Sequence, residues 1–107
     1  MEVVWTKYAI ESLFSLLSFI ESKWGEEKAY EVRIQIQKEV SLLEKHPQIG
    51  ARFAEKDIYL SEIRTLLVKK KNKIFYTLIE NKVYILLAWD VRQDPSMLET
   101  LLNQYLK

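Results

Sequence analysis

The segment from Val83 to Trp89 carries no polar side-chain group except the hydroxyl of Tyr84 and the indole N–H of Trp89. Side chains of a strand alternate between two faces, so a strand that is apolar at every position belongs inside a sheet covered on both sides. The residues before it supply neighbours. Ile74 to Ile79 reads as a second strand joined to it by a tight turn at Glu80-Asn81-Lys82. From Tyr59 the pattern is also strand-like, with Ile63, Thr65 and Leu67 alternating with Arg64, Leu66 and Val68 ahead of a charged turn at Lys69 to Asn72. Three antiparallel strands in a meander follow.

The front half has a different period. Val3, Val4 and Trp5 form a short β-prone run, and Thr6 is a suitable N-cap for the helix that Ala9, Leu13, Leu16, Leu17, Ile20 and Trp24 mark at steps of three and four. Gly25 ends it. Glu26 and Glu27 then favour the start of a second helix, on which Ala29, Val32, Ile36, Val40 and Leu43 form the apolar face. Lys45 and His46 are placed in its last turn, and Pro47 forbids continuation. Pro47 to Asp57 has no period and is expected to be a loop. After the last strand, Asp94 and Pro95 suit the cap and first residue of a final helix through Met97, Leu98, Leu101, Leu102 and Tyr105. The expected fold is α+β in the order β-α-α-β-β-β-α, with a helical hairpin packed on a small, mainly antiparallel four-stranded sheet, in one domain spanning 1–107.

Composition removes several chemistries. With no cysteine in 107 residues there are no disulfides, thiolate nucleophiles or cysteine-ligated metals. The single histidine, His46, excludes mechanisms that need two imidazoles, and its expected place at a helix end gives it a capping role. Glu26 with Glu27 is explained by the helix dipole, and Asp94 by capping, so neither these nor Asp90 marks a catalytic pair or a metal site. Gly25 and Gly50 are the only glycines and neither opens a phosphate-cradling loop. No metal and no cofactor is expected. No apolar run approaches a membrane span, and the expected location is the cytoplasm.

The formal charge of +1 conceals a polarised chain. Residues 64–92 hold seven basic side chains against Glu80 and Asp90, a net of +5, and the remainder carries a net of −4. In a meander, Lys73 at the start of the middle strand, Arg92 beyond the third, and the turn at Lys69, Lys70 and Lys71 lie at the same end of the sheet. These cations, with Arg64 and with Tyr76 and Tyr84 as aromatic planes, form a candidate phosphate or nucleic-acid surface. The same residues also have plain structural readings: lysines suit exposed hairpin turns, and Arg92 is placed to pair with Asp90 or Asp94.

The run Arg64-x8-Lys73-Ile74-Phe75-Tyr76, the hairpin at Glu80 and Lys82, and above all Trp89-Asp90-Val91-Arg92-Gln93-Asp94-Pro95 resemble the C-terminal half of the RelE/ParE toxins of bacterial type II toxin-antitoxin systems. The front half is similar too, in the strand ending Trp5-Thr6, in Ala9, in the long hairpin and in Pro47-x-x-Gly50. The resemblance covers essentially the whole chain. It implies a RelE-like fold, a growth inhibitor neutralised by a cognate antitoxin, and one of two activities. ParE-like members inhibit DNA gyrase; RelE-like members cleave ribosome-bound mRNA without metal.

In the second case the resemblance assigns the catalytic positions to Arg64, Lys73 and Arg92, and the charge pattern adds Lys69, Lys70, Lys71 and Tyr76 as phosphate-binding residues. Two positions depart from that pattern: Leu66 stands where a second lysine is expected, and Leu98 where a tyrosine is expected. Losing an acid or base costs on the order of 10²- to 10⁴-fold in such chemistry, so the gyrase-directed activity is favoured. Nothing in the residues separates monomer from homodimer.

Overall fold

The computed structural model describes residues 1–52 and 63–93. Strand β1 (Glu2–Trp5) leads through Thr6 into helix α1 (Lys7–Trp24), and helix α2 (Glu26–Ser41) follows after Gly25. Strands β2 (Ala51–Arg52), β3 (Arg64–Val68), β4 (Asn72–Ile79) and β5 (Lys82–Asp90) complete the described elements. The sheet order is β1-β5-β4-β3-β2, with β1 parallel to β5 and every other pair antiparallel. The α+β architecture and its order of elements are those expected, with five strands instead of four. The extra strand is β2, two residues whose pairing of Ala51 with Thr65 and Arg52 with Arg64 arises from long-range contact and leaves no local period. The final helix expected from Pro95 lies outside the described residues, as do Tyr59 and Asp94.

Local chemistry explains the helix limits. Thr6 caps α1 by accepting the Ala9 N–H at 3.2 Å, and Gly25 takes the positive φ of 94° that turns the chain between the helices. Helix α2 tightens into a 3-10 turn at Leu42–Glu44, so Lys45 and His46 fall beyond the α-helix and not in its last turn. The His46 N–H still closes on the Leu42 carbonyl at 2.9 Å.

The core lies between the hairpin and one sheet face. Leu16 and Ile20 of α1, Ile36 and Val40 of α2, and Leu43 meet Leu66, Val68, Ile74, Tyr76, Val83 and Ile85. Each such side chain contributes roughly 1.5–3 kcal/mol when fully buried. On the other face Phe75, Leu87 and Trp89 are buried as well, so β5 is covered on both sides as its composition requires. A β-bulge falls in β5, because Tyr76 faces Ile85 while Phe75 faces Leu87.

The outer edge of β5 continues past the end of short β1 and is closed by side chains. Thr6 donates its hydroxyl to the Ile85 carbonyl at 2.8 Å, Ser12 Oγ accepts the Ala88 N–H at 2.8 Å, and Gln93 Oε1 accepts the Asp90 N–H at 2.9 Å. A strand edge sealed in this way offers few free groups to another chain.

Candidate functional site

The cations singled out in the sequence fall into three environments. At one end of the sheet, Arg64 opens β3 opposite Tyr76, on the face the helices cover. One guanidinium nitrogen donates to the carbonyls of Gly50 at 2.8 Å and Gln48 at 3.1 Å. Tyr76 completes the clamp by accepting the Gly50 N–H at 2.8 Å. Glycine is required there: a Cβ on Gly50 would lie 2.7 Å from the Tyr76 hydroxyl oxygen and 2.8 Å from the Thr65 carbonyl oxygen. Burial raises the Tyr76 pKa, against the opposing pull of the Gly50 N–H and the Arg64 charge. Tyr76 is fully buried, so it presents no ring face for stacking a base and its expected place on a phosphate surface is replaced by a structural one.

At the other end, Arg92 lies just past β5. Its Nε and one terminal nitrogen reach the two carboxylate oxygens of Asp90 at 2.8 and 2.6 Å, and its backbone N–H adds a third bond at 2.8 Å. The Asp90 side chain is 0% exposed and that of Arg92 is 32% exposed. Burial opposes the charge on Asp90. The Arg92 hydrogen bonds and charge, helped by Lys71, outweigh that and hold the carboxyl below its usual range. The guanidinium also stacks on Trp24, 3.9 Å from the ring centroid, and Trp24 meets Phe19 edge to face at 5.9 Å. Arg92 therefore fastens the hairpin tip to the end of the sheet.

The third environment is solvent. Lys69, Lys70 and Lys71 are exposed and Lys73 is half-buried. Lys73 stands opposite Leu67 and Trp89, on the face away from the helices, whereas Arg64 is on the helix-covered face. The structure thus brings the lysine turn, Lys73 and Arg92 to one end of the sheet, with the Val91 N–H bonded to the Lys71 carbonyl at 2.8 Å. Arg64 is not with them. From Tyr76, its partner, to Asn72, the partner of Asp90, is about 13 Å along β4 at roughly 3.3 Å per residue.

Two contributors had no individual signal in the sequence. The carbonyls of Gln48 and Gly50 are backbone groups, and Trp24 meets Arg92 only because α1 runs alongside β5. The one hint was Gly50 in an otherwise glycine-poor chain. Among the described residues no cluster of three or more His, Asp or Glu side chains is placed to hold a metal, and no helix is long and apolar enough to cross a membrane.

Comparison with known proteins supplies the family. Curated protein sequences yield no significant match. The fold is similar to a solved structure described as the chromosomal ParDE TA system from P. aeruginosa, with a TM-score of 0.71 and 22% identity over 86% of this chain and 97% of that one. The family described as "ParE toxin of type II toxin-antitoxin system, parDE" matches residues 3–95. With that match running from β1 past Arg92, and with the element order that its sequence already resembled, the chain belongs to the ParE toxin family of type II toxin-antitoxin systems.

Proposed function

We propose that this toxin, acting as one domain over 1–107 in the cytoplasm, arrests growth by inhibiting DNA gyrase and does not cleave RNA. The observation that carries this reading is the separation of Arg64 from Lys73 and Arg92. A metal-free nuclease needs its cations gathered on one phosphate, with their donors available. Here Arg64 donates to two backbone carbonyls, Arg92 is bidentate to a buried carboxylate, and Lys73 projects from the opposite face to Arg64. Membership of the ParE family supports the same choice.

An antitoxin partner follows from the toxin-antitoxin family, and the exposed apolar side chains of the hairpin suit an apolar segment of it. Ile10 and Phe14 on α1 and Tyr30 and Ile34 on α2 are between 41% and 66% exposed. Covering them would remove apolar surface that water disfavours.

The test is a pair of assays on the purified chain. Gyrase-driven supercoiling of relaxed plasmid should stop in its presence, and ribosome-bound message should stay whole. Cleaved message with unimpaired supercoiling would reverse the reading.

A further inference from the structure

The molecule contains two hairpin turns with the same unusual backbone and opposite chemistry. In the turn between β4 and β5, Glu80 and Asn81 have φ of 47° and 64°; in that between β3 and β4, Lys69 and Lys70 have φ of 52° and 64°. Turns with two left-handed residues strongly favour Asn-Gly, because Gly has no Cβ to clash and Asn tolerates the region. The first turn includes an Asn. The second carries lysine at both left-handed positions and a third lysine at Lys71, whose N–H bonds to the Val68 carbonyl at 3.3 Å. A conformation unfavourable for lysine, held twice in succession at an exposed tip, points to the charges themselves as the reason for these residues.

We propose that the Lys69-Lys70-Lys71 turn binds the phosphate backbone of duplex DNA. This rests on the gyrase reading for its setting, since gyrase works on duplex DNA, but its grounds are local. Among the described residues no carboxylate ion-pairs with Lys69, Lys70, Lys71 or Lys73, whereas Lys28, Lys82 and Arg92 all have acidic partners. The turn therefore gathers three exposed cations at the end of the sheet, with Lys71 also in the field of the buried Asp90. Lysine ammonium groups are point charges that accept phosphate oxygens from many directions, which suits a regular duplex backbone and reads no sequence. Single-stranded nucleic acid is disfavoured, because Phe75, two residues from Lys73, and Trp89, opposite it, are buried, and the Trp24 ring at this end is stacked under Arg92.

The experiment is fluorescence anisotropy of a labelled DNA duplex titrated with the 107-residue chain between about 50 and 200 mM salt. Three lysine–phosphate contacts predict that log K falls with log salt at a slope of roughly −2.7, about 0.9 per contact. The decisive variant is K69N/K70G, which installs the residues the turn geometry prefers. It should melt higher than wild type, bind duplex at least about tenfold more weakly, and lower the slope by roughly 1.8. K71Q, which leaves the left-handed positions alone, should lower the slope by about 0.9. Unchanged affinity in a folded K69N/K70G variant, no salt-dependent binding by wild type, or tighter binding to poly-glutamate than to duplex would each overturn the proposal. Supercoiling is measured separately. Gyrase inhibition without duplex binding removes this inference alone, and duplex binding without gyrase inhibition removes the gyrase reading alone.

Discussion

The two ends of the sheet each hold an arginine, and they use it differently. Arg64 meets neutral backbone: it donates to two carbonyls and, with Tyr76, pins the loop at Gly50. Arg92 meets a charge: it neutralises the buried Asp90 and stacks on Trp24 at the hairpin tip. The first end replaces water around polar backbone groups, and the second resolves the cost of a carboxylate placed inside the protein. Both arginines beside the apolar strands are engaged by their own chain, whereas the cations left to solvent, Lys69 to Lys71, are the better candidates for work on a partner.

The largest break in this comparison should come at the charged end. Arg92→Ala leaves Asp90 buried without its partner and should cost about 3 kcal/mol, read as a lower urea midpoint at unchanged slope. Gly50→Ala comes next. Its methyl would meet the Tyr76 hydroxyl and the Thr65 carbonyl well inside contact distance, so a loss of about 2 kcal/mol is expected from the same measurement. Tyr76→Phe removes the acceptor for the buried Gly50 N–H and should cost about 1 kcal/mol, with Arg64 still in place.

A pH series separates the two ends by sign. The folded pKa of Asp90 is lowered, so its contribution is complete above the unfolded value near about 3.9 and is lost as pH falls through the folded value. The folded pKa of Tyr76 is raised, so its contribution is complete below about 10 and is lost as pH rises through the folded value. Thermal melts should show the acid decline shrink in Asp90→Asn and the alkaline decline shrink in Tyr76→Phe.

Much of this was legible before any coordinates. The helical hairpin follows from the three-and-four spacing that ends at Gly25, and the covered position of β5 from its lack of polar side chains. The pairing of Arg92 was legible as a choice between Asp90 and Asp94, although not the burial of Asp90, which depends on how the hairpin lies over the sheet. Strand β2 was hidden because two residues have no period. The role of Arg64 was hidden because its acceptors are carbonyls, which any residue carries, delivered by a loop 14 to 16 residues earlier. Tyr76 looked available because β4 is apolar at both parities, so the sequence alone did not say which face it takes.

The central proposal, that Arg92 holds the fold together and does no chemistry on RNA, meets its most direct test in the double variant Asp90→Asn with Arg92→Gln. Replacing both charges together avoids the stranded carboxylate and restores a neutral pair, so the double variant should be more stable than Arg92→Ala. Induced in cells, it should still arrest growth with transcripts intact. A double variant that folds as stably as wild type and yet permits growth would contradict the account, because the guanidinium would then be acting on the target itself.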